Sequence, residues 1–310
     1  MGKQLRNYGM FQPGYLHLHK TGILQKRIEK ARELLQECQI CPRRCKVNRL
    51  ENRLGVCKTG KLPRVSSYHP HFGEESPLVG THGSGTIFIT SCNLGCAFCQ
   101  NFEISHLGEG HEISIERFAR MMVELQDMGC HNINFVTPTH VVPQILEALP
   151  YAIKDGLEIP LVYNTGGYDL VETLRLLDGV FDIYMPDFKF FDSAVALKLC
   201  KARDYPHVVM KAIKEMHRQV GDFVMDDRGI AERGLIVRHL VMPGGLAGTR
   251  EIMRFLSEEI SPNTYVNIMD QYHPCGLAHK YPEINRRITV EEFEDALKES
   301  REEGICRFAT

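Results

Sequence analysis

No stretch of this chain is apolar for long enough to cross a bilayer as a helix, which takes roughly 18 consecutive apolar residues. The N-terminal sequence MGKQLRNYGMFQPGYLHLHK has no apolar core of the secretory kind. Neither sign of charge dominates, with 37 Lys and Arg against 39 Asp and Glu and a net charge of −2. Such a balance offers no field to draw in a nucleic acid or an anionic membrane. Internal repeats and low-complexity tracts are also absent. What remains is a folded chain of 310 residues, 43% hydrophobic and 25% charged, long enough to bury a large core. The expected setting is the cytoplasm. In that reducing compartment eleven cysteines point to metal or redox chemistry rather than to a disulfide framework.

The cysteines fall into two sets. Cys92, Cys96 and Cys99 stand at C-x3-C-x2-C spacing, directly after the apolar run Thr86-Ile87-Phe88-Ile89. Thiolates bind soft metals and iron–sulfur clusters. Three of them on one tight loop can hold three irons of a cubane and leave the fourth open to another ligand. The loop therefore reads as a reactive 4Fe-4S site rather than an electron store. Cys38, Cys41, Cys45 and Cys57, at C-x2-C-x3-C-x11-C, form a second candidate metal site, a compact knuckle for zinc or for a second iron–sulfur cluster. Arg43, Arg44, Lys46, Arg49 and Arg53 surround it without interleaved aromatics, so they are expected to solvate the knuckle or meet an acidic partner, not nucleic acid. His69 and His71 form a weaker metal pair, and Cys275 is a candidate fourth ligand. Cys130, Cys200 and Cys306 are expected to be packed or surface thiols.

From Thr86 a regular alternation begins. Strand-like runs occur at 86–90, 132–136, 160–163, 182–185, 235–241 and 264–269, with helical patterns between or after them. Short, β-branched, apolar runs of this kind predict a parallel sheet covered on both faces, with right-handed crossovers. Six units fit a partial (β/α)6 TIM-like barrel of α/β class better than a closed eight-unit one. The barrel is expected over 83–310. An N-terminal extension over 1–82 would comprise an irregular arm to residue 21, a helix over 22–37 and the knuckle. Residues 58–84 show no clear periodicity. Asp169-Leu170-Val171-Glu172 and Thr289-Val290-Glu291-Glu292 resemble helix capping boxes. The long fourth connection should hold a helix over 207–220 and a hairpin over 224–233.

In such sheets chemistry gathers at the carboxyl ends of the strands. Here those ends carry the three-cysteine loop, Thr137-Pro138-Thr139-His140, Asn164-Thr165-Gly166-Gly167, Met185-Pro186-Asp187-Phe188-Lys189, Arg238-His239 and Met269-Asp270-Gln271-Tyr272-His273. All six are polar, so one rim offers carboxylate, ammonium, amide and glycine-backbone partners beside the cluster loop.

The cysteine loop, with Phe98 just before its third cysteine, resembles that of radical S-adenosylmethionine (SAM) enzymes. More narrowly, the chain is similar to a branch related to pyruvate formate-lyase activating enzymes. That likeness rests on Cys99-Gln100-Asn101, Met185-x-Asp187-x-Lys189, Arg238-x-x-Val241-Met242-Pro243-Gly244, the Cys-Pro-Arg-Arg-Cys segment and His-Pro-His-Phe-Gly-Glu-Glu at 69–75. It implies a 4Fe-4S cluster on Cys92, Cys96 and Cys99 and a SAM site near Phe98, Asn164, Thr165, Asp187 and Lys189. Asn164, Thr165, Met185 and Asp187 match positions that hold a monovalent cation, and Arg238 would sit near substrate or cluster. The family histidine after the sixth strand aligns to Gln271, Tyr272 or His273. Where the family has Gly-Gly-Glu this chain has Thr137-Pro138-Thr139-His140, with His140 or the threonines as substitutes. The implied reaction is hydrogen abstraction by a 5′-deoxyadenosyl radical. Its substrate would be a glycine of a partner enzyme, another protein or a small molecule, and its reductant flavodoxin or ferredoxin. The competing reading is a non-enzymatic iron–sulfur or zinc protein with a fully ligated cluster, acting in electron transfer, scaffolding or binding.

Overall fold

The computed structural model describes residues 11–309. The first ten residues of the expected arm lie outside them. From Gly14 the arm is not irregular: α1 (Gly14–Lys20) forms and buries Tyr15 completely. Tyr15 donates its hydroxyl to Ile159 O at 2.9 Å, and Gly14 N donates to Asp182 at 3.1 Å. The arm therefore clasps the far ends of two strands. Helix α2 (Ile23–Glu33) follows as expected, burying Leu24, Ile28 and Ala31 on one stripe.

Residues 58–84, without visible periodicity, contain strand β1 (Arg64–His71) and the single-turn helix α3 (Ser76–Val79). β1 is half-buried, carries Pro70 and slips register between Val65 and Ser67, which together hide the period-2 signal. It runs antiparallel to β2 (Ser84–Ile89) and to the short β3 (His111–Glu112). The sheet therefore crosses the expected boundary at residue 83.

Beyond β3 the strands and helices alternate. Helix α4 (Ile115–Asp127) is capped by Ser114, whose hydroxyl accepts from Arg117 N at 3.2 Å. Then come β4 (Ile133–Val136), α5 (Val142–Lys154), β5 (Leu161–Thr165), α6 (Val171–Leu176) and β6 (Ile183–Pro186). The fourth connection holds two helices where one was expected, α7 (Ser193–Cys200) and α8 (Tyr205–Val220). Asp192 starts α7 by accepting from Ala194 N and Val195 N. The expected hairpin forms between β7 (Val224–Met225) and β8 (Ala231–Leu240), and α9 (Thr249–Phe255), β9 (Tyr265–Met269), α10 (Val290–Glu302) and β10 (Arg307–Phe308) complete the chain. Thr289 and Glu292 form a true capping box on α10.

β2, β4, β5, β6, β8 and β9 pair in that order and in parallel, the six strands the pattern calls for. β10 extends the sheet at one edge, and β1 with β3 at the other. Helices cover the outer face. On the inner face Val162, Ile183, Met185, Ile236 and Tyr265 form a separate apolar cluster, and Leu78 of α3 packs into it. The turn after β1 therefore plugs the lumen of the barrel. No helix among the described residues is long and apolar enough to cross a membrane.

Two buried polar anchors tie these layers together. Arg49 is 1% exposed, with its guanidinium donating to Gly60 O at 3.2 Å and His140 O at 2.8 Å. His140 in turn donates from Nε2 to Thr90 O at 3.0 Å, joining the ends of β2 and β4. On the other side His239 bridges Phe188 O and the Thr249 hydroxyl, each at 3.0 Å. Burial pushes both imidazoles down to about 4; for His140 the Thr90 carbonyl opposes the shift and Arg49 adds to it.

Two outcomes follow from these anchors. Arg49→Met strips two buried carbonyls of a charged donor and should cost about 3 kcal/mol in urea unfolding. The histidines act through pH. As pH falls the unfolded chain protonates first, so stability present above the ordinary value of 6.5 is lost between 6.5 and about 4. Each histidine contributes roughly 3 kcal/mol to that loss. His239→Gln should therefore flatten the urea midpoint across this window relative to wild type.

Candidate active site

The three-cysteine loop leaves β2 through Ser91, whose φ of 74° is unusual for a residue with a side chain. Thr137 does the same at the end of β4, with φ 64°. Strain of this kind persists only where the surroundings enforce it. Here they do: Ser91 N donates to Ile104 O at 3.0 Å and Thr137 N to Asn164 O at 2.8 Å. Further along, Ala97 N donates to Leu199 O at 2.8 Å, while Ala97 O accepts from Leu277 N at 2.7 Å. Asn93 donates to Tyr168 O at 2.7 Å. The result is a fixed loop whose Cys92, Cys96 and Cys99 all line one cavity of about 170 Å³.

Donors already point at the sulfurs, Leu94 N to Cys92 at 3.4 Å and the Ser105 hydroxyl to Cys99 at 3.1 Å. Burial pushes the Cys92 and Cys99 thiols up, and Cys96 beside them adds to it. Cys96 itself is lowered, chiefly by a hydrogen bond with Cys200. A bound metal would remove these protons outright. No three His, Cys, Asp or Glu side chains among the described residues converge as the ligands of a single ion do. The thiols of a cubane bind separate irons, so they need only face one cavity. The three-thiol set fits that group.

Opposite the thiols lies a chain of charges. Lys189 Nζ meets Asp187 Oδ2 at 2.5 Å, and Arg238 Nε meets Oδ1 at 3.0 Å. Arg238 also donates to Asn164 Oδ1 at 3.0 Å and to Glu74 Oε2 at 3.2 Å. Burial alone would raise Asp187, but the two cations overcome it and hold the carboxyl below its usual range. Lys189 and Arg238, penalised by the same burial, are held charged mainly by Asp187. Each of the three keeps under a fifth of its side chain exposed, enough to reach the cavity. Tyr205, the first residue of α8, fixes this strand end. Its hydroxyl is shared by Gly166 O, Asp187 O and Lys189 N at 2.9–3.0 Å. Gly167, at φ 79°, admits the approach, since a Cβ there would stand 2.5 Å from Asp187 O.

Cys92, Cys96, Phe98, Cys99, Asn164, Thr165, Asp187, Lys189, Arg238 and Gln271 thus line one cavity. Phe98 is held edge-on by Phe190 and Tyr272. Several expectations change. His140 does not face the cavity, because its ring is committed to Thr90 O. Tyr272 is buried behind Phe98 with its hydroxyl on Ile284 O. Met185 points into the inner apolar cluster. The oxygens of Asp187 and Asn164 that would hold a monovalent cation are taken by Lys189 and Arg238. Cys275 bonds His273 O outside the cavity lining. His69 stacks on Phe88 and His71 meets it edge-on, and among the described residues no third ligand joins them.

Other contributors were not foreseen. Asp169 caps no helix; it is buried, burial raises its pKa, and it accepts from Tyr163 at 2.8 Å and Thr165 at 2.6 Å. Glu74 comes from the plug, 164 residues from its Arg238 partner. Only its place in His-Pro-His-Phe-Gly-Glu-Glu marked it in the sequence.

The four-cysteine knuckle packs against the same loop. Cys38, Cys41 and Cys57 are buried and Cys45 is half-buried. Burial pushes the Cys41 thiol up to about 12, partly offset by a backbone donor at Arg43, while Cys57, Cys38 and Cys45 add to the rise. Arg43 and Arg49 do not solvate the knuckle as expected. Arg43 donates to Asn93 O at 2.8 Å and Lys201 O at 2.7 Å, and Arg49 lies in the core. A second cleft of about 250 Å³ opens there, lined by Arg43, Lys58, His106 and Lys201 together with Cys92.

Residues 86–226 match the radical SAM superfamily domain, a span that includes the cysteine loop and the Asp187–Lys189 strand end. An uncharacterised Methanocaldococcus jannaschii protein, MJ0674, is 36% identical over 289 residues, covering 90% of this chain and 78% of that protein. Among solved structures, Streptococcus suis SuiB bound to precursor peptide SuiA shares 14% identity at a TM-score of 0.48, over 71% of this chain and 46% of SuiB. HydG, a maturase of the FeFe-hydrogenase, shares 15% at a TM-score of 0.46, over 69% of this chain and 47% of HydG. The chain thus spans under half the length of those two solved chains. By its domain match and its relative, with the three thiols at the end of the first parallel strand, this chain belongs to the radical SAM superfamily.

Proposed function

We propose that this protein is a radical SAM oxidoreductase that abstracts hydrogen from its substrate, with a 4Fe-4S cluster on Cys92, Cys96 and Cys99. The observation that carries this reading is one cavity lined by three thiols on one wall and by Asp187, Lys189 and Arg238 on the other. When bound and reduced by one electron, the cluster supplies cleavage of SAM to methionine and a 5′-deoxyadenosyl radical. The protein's part is to bind, orient and exclude water. Phe98, braced by Phe190 and Tyr272, offers a rigid aromatic edge to the adenine. Lys189 Nζ suits the methionine carboxylate, and Asp187 keeps that ammonium charged and aimed. Thr137, the residue of the Thr137–His140 strand end that lines the cavity, is the one left to meet the methionine amino group where the family carries Gly-Gly-Glu. Phe88, Val136, Leu240 and Met269 form apolar walls that keep water and stray hydrogen donors away from a radical.

The likeness to activating enzymes, carried by Met185-x-Asp187-x-Lys189 and Arg238-x-x-Val241-Met242-Pro243-Gly244, makes a backbone glycine of a partner protein the favoured substrate. Electrons would come from an acidic flavodoxin or ferredoxin, for which the cleft of Arg43, Lys58, His106 and Lys201 beside Cys92 is the complementary surface. Cys38, Cys41, Cys45 and Cys57 would hold a second metal group adjoining that cleft; because no three ligands among the described residues converge there as on a single ion, an iron–sulfur cluster suits them better than a zinc ion.

Anaerobic reconstitution followed by dithionite and SAM should yield 5′-deoxyadenosine. No product above a buffer blank, from protein carrying its full iron and sulfide, sinks the reading. The Cys92/Cys96/Cys99 triple Ala variant should lose the product together with part of the iron; any iron and sulfide it keeps belongs to the knuckle, whereas zinc alone marks the knuckle as a zinc site. Asp187→Asn should keep its iron yet form 5′-deoxyadenosine roughly 100-fold more slowly, because Lys189 and Arg238 lose their shared anchor.

A further inference from the structure

Cys200 was expected only to pack, but its sulfur stands 3.3 Å from that of Cys96. The backbone holds the two residues there. Ala97 N donates to Leu199 O at 2.8 Å, so the peptides beside each cysteine lie next to one another. Cys200 ends α7, and Lys201 after it turns left-handed at φ 57°. Arg43 grips that turn through Lys201 O at 2.7 Å while holding Asn93 O of the cysteine loop at 2.8 Å. On the opposite flank Leu277 N fixes Ala97 O at 2.7 Å. Two sulfurs locked in register by their frameworks react as if at high local concentration. Closing 3.3 Å to the length of a disulfide takes a movement of about 1 Å.

Access differs between the two. Cys96 lines the cavity, whereas Cys200 is fully buried behind it. Cys92 and Cys99 face other partners, Leu94 N and the Ser105 hydroxyl. An oxidant entering the cavity reaches all three loop thiols, and among the described residues Cys96 is the one of the three with a further thiol within hydrogen-bond distance at its back.

We propose that Cys96 and Cys200 form a reversible disulfide when the protein without its cluster meets a peroxide. In the first step the Cys96 thiol attacks the peroxide; an S–O bond forms, the O–O bond breaks and one water leaves. In the second, the Cys200 thiol attacks the sulfenic sulfur; the S–S bond forms, the S–O bond breaks and a second water leaves. Two thiols give up two electrons and two protons, and hydrogen peroxide takes them up as it becomes two waters. A dithiol reductant reverses the step by exchange, becoming a disulfide itself. The bond stops Cys96 from climbing to sulfinic acid, which thiols do not reverse. It also removes one cluster ligand, so cluster assembly waits on reduction. That last consequence rests on the proposed cluster site, whereas the disulfide itself does not.

The test uses full-length protein stripped of iron, reduced, desalted and treated anaerobically with one equivalent of hydrogen peroxide. Alkylation and peptide mass mapping should show two of the eleven cysteines blocked, joined as a Cys96–Cys200 cross-link that dithiothreitol removes. Cys200→Ser, checked for native folding by circular dichroism, should show no such cross-link; it should hold Cys96 as a dimedone-reactive sulfenic acid after one equivalent and as sulfinic acid after a second. Cys200 still fully alkylated after peroxide, or cross-links confined to Cys92, Cys96 and Cys99, would overturn the proposal; this mapping needs no variant. With ferrous iron and sulfide added, oxidised wild type should lose most of its iron uptake at the Cys92–Cys99 loop and regain it after dithiothreitol. A mapped Cys96–Cys200 bond that leaves that uptake unchanged would count against Cys96 as a cluster ligand, not against the disulfide.

Discussion

An ion taken out of water must find its partners inside the fold, and Asp187 sets that demand for this barrel. Its carboxylate sits between Lys189 and Arg238, and neither cation is tolerable at that depth without it. Arg238 needs more than one acceptor, so β5 supplies Asn164 and the turn after β1 supplies Glu74. Asn134 of β4 then holds Glu74 from the other side at 3.1 Å. Satisfying one buried charge thus recruits β4, β5, β6, β8 and the N-terminal plug into a single network. The rim is rigid because the alternatives leave a charge unpaired.

The same network explains why the segment before residue 83 is integral to the barrel. β1 pairs with β2 along most of its length, and α3 places Leu78 among the inner-face residues. Glu74 lies between these two and reaches Arg238 of the cavity lining. Farther back, Arg49 joins the knuckle to the β4 end through Gly60 and His140. The cysteine knuckle is therefore held by buried charge and the plug by both charge and apolar burial. Such joints are costly to break in part, which favours one cooperative unit over a barrel with a loose appendage.

What could be read from the sequence follows from how local the signals are. Six short apolar runs and the C-x3-C-x2-C spacing are local patterns, and the strand order and cysteine loop follow from them. Strand ends place Asp187, Lys189 and Arg238 at one rim by topology alone. The failures involve partners far apart in the chain. Arg238 and Glu74 meet across 164 residues, and Cys96 and Cys200 across 104. His140 looked available because nothing local announces that Thr90 O will claim its ring. Asp169 carries the letters of a capping box, yet its carboxylate turns inward to Tyr163 and Thr165, where burial and two hydroxyl donors outweigh a helix end. β1 escaped notice because a bulge and a proline break its alternation.

The cysteine loop is where these separate constraints meet. It is gripped by Arg43 from the knuckle, by Leu199 from α7 and by Leu277 from the loop after β9. Each grip uses backbone atoms of the loop, so the side chains of Cys92, Cys96 and Cys99 are left for other work. A loop held in this way keeps three thiols facing the cavity before any metal arrives, which lowers the ordering cost of binding one. The same rigidity prevents Cys96 from turning away from Cys200. The proposed cluster site and the proposed oxidation pair would therefore both be consequences of one set of backbone hydrogen bonds. Under the two proposals, whether iron or peroxide reaches Cys96 first decides which of them is expressed.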